Sequence, residues 1–398
     1  MRTNYLVFGQ PLIEEEEIAE VGRSLRTAWL GTGPKVAEFE RRVAAYKGVR
    51  HAVAVNSCTA GLHLSCLALG LTVGDEVIVP AMTFCATVNA IIHAGATPVL
   101  VDIEPDTLNM DPQEVRRKIT PRTRAIVPVH FAGRACNMNE LVSLARDHGL
   151  QLIEDCAHAI ETEYHGHKAG TMGDCGVLSF YSTKNIVTGE GGMVLTNNAA
   201  LAARIKRLAL HGMSQDAWNR FSDDGYQHYD VVEVGFKYNM MDLQAAIGMH
   251  QITRVERYWR RRSEIWQSYN QAFADLAVEL PAPLEPRSRH ALHLYTILVN
   301  QWRSPLTRDA FMLELHRRGI GTGVHYRSIP AHPVYQDRFQ WRPEDYPVSY
   351  ETGQRTVSLP LSAKLTDADV EDVISAVREV LRPRSLRREA NHARVALG

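Results

Sequence analysis

Short continuous apolar runs recur along the first half of the chain, and the segments between them carry apolar positions at helical spacing. The runs "VRHAVAVNS", "DEVIVPA", "TPVLVDI", "RAIVPVHFAG", "LQLIEDCAHA", "CGVLSFYS" and "GGMVLTN" predict strands. Residues 12–28 predict a helix with an acidic start, and "TAGLHLSCLALG", "TFCATVNAIIHAG" and "NMNELVSLARDHG" predict three more. Strands that are apolar on both faces and alternate with helices define an α/β protein, with a mostly parallel central sheet flanked by helices.

After about residue 240 the pattern changes. "MDLQAAIGMHQITRVERYWRRRSEIWQSYNQAFA" predicts one long helix. It is followed by the strand "LHLYTILVN", the helix "LTRDAFMLELHRRG", the short strand "IGTGVHYR" and the helix "LTDADVEDVISAVREVL". The expected organisation is a large α/β domain over 1–240, then a connecting helix and smaller α/β C-terminal domain over 241–382. The basic tail, 383–398, lacks apolar periodicity and is expected to be disordered.

Composition narrows the function. Apolar residues make up 45% and charged residues 22%, the balance of a soluble globular protein, and the net charge of −1 gives no footprint for nucleic acid or an acidic membrane. No apolar run is long enough for a transmembrane helix, and the start lacks a signal-peptide pattern. Six scattered cysteines, with no CxxC pair, read as reduced thiols, so a cytoplasmic location is expected.

Open parallel sheets bind ligands beyond the carboxyl ends of their strands, and three features fall there. In "AVAVNSCTAGLHL" a strand passes into a helix through small residues. The open N–H groups and a hydroxyl from Ser57 or Thr59 can hold a phosphate, although an ordinary N-cap has the same pattern. No Walker A motif or strand-linked GxGxxG accompanies it. In "LIEDCAHAIE" a strand ends at Glu154–Asp155, with His158 three residues after Asp155. A buried carboxylate needs a cationic partner, either a structural ion pair or a protonated cofactor nitrogen. In "LSFYSTKNIVTGEGGM" a lone lysine, Lys184, separates an apolar strand from a glycine cluster. It is either a surface side chain at a hairpin-like turn or an amine made nucleophilic by burial. A phosphate cup, a ring-nitrogen carboxylate and a carbonyl-capturing lysine together fit one cofactor, pyridoxal 5′-phosphate.

The motifs "WLGTGPKVAEFE", "VNSCTAGLHL", "PAMTFCAT", "VDIEPDTLNMDP", "IEDCAHA", "SFYSTKNIVTGEGG", "GFKYNMMDLQAAIG" and "SLPLS" run through almost the whole chain. In order and spacing they resemble the DegT/DnrJ/EryC1/StrS family of nucleotide-sugar aminotransferases, which have the aspartate-aminotransferase type I fold. The resemblance implies that Lys184 carries the cofactor, that Asp155 faces its ring nitrogen, and that His158 lies near its ring. It implies that Thr59, Ala60 and Ser179 hold the phosphate and that Phe84 stacks on the pyridine. Asn239 would reach the phosphate in the neighbouring subunit, which implies a homodimer with shared active sites.

"GIGTGVHYRSIPAHPVYQ" resembles the subgroup that aminates 4-keto sugars, with His325 and Arg327 as substrate-binding residues. The activity implied is transfer of an amino group from an amino acid, by resemblance L-glutamate, to a nucleotide-linked keto-sugar at C4, with no metal. Alternatives are amination at C3 and a non-catalytic regulator on the same fold. A pyridoxamine-dependent dehydratase of this fold would carry histidine where Lys184 stands. The chain departs from the family pattern at Cys58, where glycine is commoner, and at Gly61, where alanine is commoner.

Overall fold

The computed structural model describes residues 2, 4–214, 229–304 and 306–382. The strands of the larger lobe are β1 (His51–Val55), β2 (Glu76–Pro80), β3 (Thr97–Val101), β4 (Thr123–Ile126) and β5 (Gln151–Cys156), then the short hairpin β6 (Glu163–Tyr164) and β7 (His167–Lys168), then β8 (Cys175–Ser179) and β9 (Gly192–Thr196). Seven of them form one sheet in the order β1-β9-β8-β5-β4-β2-β3. The pairs β2–β3, β2–β4, β4–β5 and β5–β8 are parallel. Only β9 runs against its neighbours β1 and β8.

The apolar character of these strands follows from cover on both faces. Val77, Ile78 and Val79 of β2 are fully buried, as expected for parallel strands between helical layers. Helix Cys58–Ala68 is buried almost all round. Gly61 lets it lie on the sheet, because an added Cβ would stand 2.6 Å from Val177 Cγ1 of β8. A helix of residues Pro34–Lys47, with proline in its first turn, packs Val36, Phe39 and Val43 inward.

The smaller lobe holds a three-stranded antiparallel sheet, β10 (Val278–Glu279), β11 (Tyr295–Val299) and β12 (Thr356–Leu359). Val370, Val373, Val377 and Val380 of helix Asp367–Leu381 are buried in its core with Tyr269, Phe273 and Tyr295. Each such side chain is worth about 1.5–3 kcal/mol of burial. Leu6 belongs to this core too and pairs with Ile320. Tyr335 and Tyr346 instead join the core of the larger lobe.

Two expected elements differ. The single long helix after residue 240 is two helices, Asp242–Gln251 and Val255–Phe273, separated by a 3-10 turn at Ile252–Arg254. The break serves tertiary contacts: Arg254 pairs with Glu14, Glu16 and Glu17, and Gln251 donates to Glu17 Oε1 at 2.8 Å. The acidic start of helix Glu15–Thr27 is therefore partly an internal ion-pair cluster. The strand expected in "IGTGVHYR" reduces to isolated pairings, Leu6 with Ile320 and Gly323 with Ser358. The tail, 383–398, lies outside the described residues.

Candidate active site

The carboxyl ends of β1, β2, β4, β5 and β8 open onto one cavity of about 490 Å³. Because β9 is antiparallel, its first residue meets the same edge of the sheet.

Period-2 alternation sends the two acidic side chains of β5 to opposite faces. Glu154 faces inward and is fully satisfied. Its Oε1 accepts the N–H groups of Met172 and Gly173, both at 2.7 Å, and its Oε2 accepts Gly170 N–H at 2.7 Å and His130 Nε2–H at 3.0 Å. His130 Nδ1 accepts Cys136 N–H at 3.1 Å, which places the imidazole proton on Nε2. Burial alone would raise the Glu154 carboxyl, but the bond from His130 and the backbone donors outweigh it and hold the group below its ordinary value. His130, Glu154 and Cys156 cluster closely enough to resemble a metal site, yet every acceptor position of Glu154 already holds a hydrogen.

Asp155 faces the cavity. Its Oδ1 accepts Ala157 N–H at 3.0 Å and its Oδ2 accepts the Thr87 hydroxyl at 2.8 Å. Burial pushes its carboxyl above the ordinary value, and these two bonds compensate only in part. The Lys184 amine also draws it down through space, but no ion pair reaches this carboxylate among the described residues.

Lys184 stands in the loop between β8 and β9. Phe180, Ile186 and Val187 are buried and anchor that loop. Phe180 N–H bonds Gly191 O at 2.9 Å, and Lys184 N–H bonds Tyr181 O at 2.9 Å. Burial disfavours the ammonium form and brings Lys184 down to about 8, against the opposing pull of Cys58 and Asp155. The hairpin expected from the glycine cluster is present. Gly192 there approaches protein: a Cβ on it would lie 2.5 Å from the carbonyl carbon of Ser57.

The cup at the start of helix Cys58–Ala68 presents Ser57, Cys58 and Thr59 to the cavity, with Ser179 beside them. The N–H of Ala60 is already given to Ser57 Oγ at 3.1 Å. Phe84, His158 and His325 also line the cavity. His325 Nδ1 lies 2.9 Å from Ser358 Oγ. Arg327 departs from the expectation: it is exposed and its Nη2 donates to Ala331 O at 2.6 Å, outside the cavity lining. Asn239 is likewise not in its own chain's cavity; its Nδ2 donates to Thr32 Oγ1 at 2.6 Å.

Thr87 and Tyr326 also line the cavity and are not marked by local pattern. Both lie inside matching segments, "PAMTFCAT" and "GIGTGVHYRSIPAHPVYQ", near Phe84 and His325.

No helix among the described residues is long and apolar enough to cross a membrane. Residues 11–378 match the DegT/DnrJ/EryC1/StrS aminotransferase family. The chain is 46% identical over 382 residues to the spore coat polysaccharide biosynthesis protein SpsC of Bacillus subtilis (strain 168), covering 96% of this chain and 98% of that one. Among solved structures, Spr1654 of Streptococcus pneumoniae, assigned as a sugar aminotransferase and solved in PMP and PLP forms, is similar. Its PMP form gives a TM-score of 0.87 at 33% identity, over 94% of this chain and 97% of that one. The Helicobacter pylori aminotransferase PseC, involved in pseudoaminic acid biosynthesis, gives 0.87 at 28% identity, over 95% and 99%. The chain belongs to the DegT/DnrJ/EryC1/StrS family and is a sugar aminotransferase of the type I fold.

Proposed function

We propose that the protein moves an amino group from L-glutamate to C4 of a nucleotide-linked keto-sugar, using pyridoxal 5′-phosphate, as a cytoplasmic homodimer. The observation that carries this reading is Asp155: a buried carboxylate with two hydrogen-bond donors, facing a cavity that also holds Lys184. Asp155 would pair with a protonated ring nitrogen there. The similarity to polysaccharide and pseudoaminic acid biosynthesis proteins supports a sugar substrate.

When bound, pyridoxal 5′-phosphate supplies an aldehyde that captures amines and a ring that takes up an electron pair. Thr59, Ser57 and Ser179 hold its phosphate at the helix start, where the dipole favours negative charge. Phe84 and His158, which line the cavity, would flank its ring. Ionised Asp155 would hold a proton on the ring nitrogen. The amine of Lys184, brought down to about 8 by burial, would serve as the base for the Cα proton of the amino donor. His325 contacts the sugar.

Exposed apolar side chains support the dimer. Trp29 is 55% exposed and Val234 90%. The Asn239 Oδ1 is buried without a partner among the described residues, consistent with completion by a second chain.

Borohydride reduction of the cofactor-loaded protein followed by peptide mapping tests the core of this reading. The label is expected on Lys184, and a label on another lysine overturns it. Incubation of nucleotide keto-sugars with glutamate is then expected to release 2-oxoglutarate and a 4-amino sugar. Amination at C3 would replace the C4 assignment.

A further inference from the structure

The hydrogen bonds around His158 fix where its proton sits. Its Nδ1 accepts the backbone N–H of Ala132 at 3.2 Å. An amide N–H only donates, so Nδ1 is bare and the proton of the neutral imidazole is on Nε2. His158 Nε2 lies 3.0 Å from the Tyr326 hydroxyl oxygen, so His158 donates and Tyr326 accepts.

The ring is held in this orientation from behind. His293 packs on His158 with ring centroids 4.4 Å apart. Asn185 Nδ2 donates to Glu161 Oε2 at 2.8 Å and to Ala291 O at 2.9 Å. Its Oδ1 is therefore the free acceptor, and it takes His293 Nδ1–H at 3.0 Å. Burial pushes both imidazoles well below their ordinary value, in keeping with neutral rings.

One hydrogen is left over. The O–H of Tyr326 is not used on His158 and makes no other hydrogen bond among the described residues. Tyr326 lines the cavity with Phe84 and Lys184. A hydroxyl in such a place calls for an acceptor. We propose that Tyr326 contacts the substrate, its O–H donating to an oxygen acceptor of the bound molecule, and that His158 is the positioning residue that aims it. This rests on the aminotransferase reading above and adds a residue to it. A neutral donor of this kind reads oxygen: a sugar hydroxyl or carbonyl of the acceptor, or the carboxylate of the amino donor. His158 then does not shuttle protons, because one nitrogen is committed to Ala132 and the other to Tyr326.

Tyr326→Phe removes the hydroxyl and keeps the ring packing against Phe84 and Phe131, at centroid distances of 5.9 and 6.1 Å. The two half-reactions of the holoenzyme are followed separately by absorbance. One uses L-glutamate, and the other uses UDP- and dTDP-linked 4-keto-6-deoxyglucose on the amine-loaded form. The expected result is a rise of about tenfold in apparent KM in one half-reaction. A rise in the sugar arm alone assigns the contact to the sugar, and a rise in the glutamate arm alone assigns it to the donor carboxylate. No change in either arm overturns the proposal. So does histidine ¹⁵N NMR of the apoprotein showing His158 Nδ1 protonated. Borohydride labelling of Lys184 in wild type and in the variant separates the two levels: no label on Lys184 in wild type defeats the aminotransferase reading, whereas labelling retained in both with unchanged KM defeats only the role of Tyr326.

Discussion

The two faces of β5 carry neighbouring carboxylates with opposite fates. Both are buried, Glu154 at 0% exposure and Asp155 at 4%. Glu154 points into protein and receives hydrogens from Gly170, Met172, Gly173 and His130. Asp155 points to the cavity and receives hydrogens from Ala157 and Thr87 only. One carboxyl is consequently held below its ordinary value and the other above it. Burial does not separate a structural acid from a functional one. The number of acceptor positions left unfilled does.

The sharpest break of this contrast is on the cavity face. Asp155→Asn should lower turnover about a thousandfold, since a neutral amide cannot hold a ring proton by charge. It should not weaken the apoprotein. Wild-type Asp155 has a folded-state pKa above its unfolded value. Its ionisation therefore costs apoprotein stability as pH rises from the unfolded pKa through the folded one, and costs nothing below the former. Thermal melts of the two apoproteins across that window should show the variant gaining relative to wild type as pH increases. A large loss of melting temperature would mean that Asp155 is structural.

On the inner face the expectation reverses. Glu154→Gln should cost about 3 kcal/mol in urea unfolding, because an amide turns a donor toward backbone N–H groups. The folded fraction should keep turnover close to wild type. Glu154 has a depressed folded pKa. Its contribution is therefore present above the unfolded value and disappears as pH falls through the folded one. An unchanged urea midpoint would undo the comparison.

A smaller effect sharpens it. Thr87→Val removes one of the two donors to Asp155. Turnover should fall about tenfold, the worth of one bond to a charged group, with borohydride labelling of Lys184 intact. If turnover is unchanged, Asp155 does not depend on its donors for its orientation.

Much of this was legible in the chain. Continuous apolar strands, Lys184 between a strand and a glycine cluster, and an acidic pair at a strand end all follow from local pattern. The division of labour within "IEDCAHA" was not, because the donors that fill Glu154 come from the turn after β7, including Gly170, Met172 and Gly173. The turn that splits the helices after residue 240 was hidden for a similar reason: nothing local announces that Arg254 must reach the acidic residues near position 14. Arg327 shows what a motif leaves open: it lies inside a matching segment, yet it is exposed, donates one N–H to Ala331 O and does not line the cavity. Helix Pro34–Lys47 does carry a local signal, a proline start with Val36, Phe39 and Val43 on one side.

Gly192 gives the architecture a practical corollary. Its backbone rests so close to Ser57 and Cys58 that even a methyl group would collide with main-chain atoms. The strand that returns from the lysine loop and the turn at Ser57–Cys58 are thus wedged together, with no soft side chain between them to absorb a shift. An engineer who inserts or deletes a residue in that loop to widen the entrance should expect to displace the start of helix Cys58–Ala68 as well. Reshaping the cavity at His325 does not touch the atoms of this wedge.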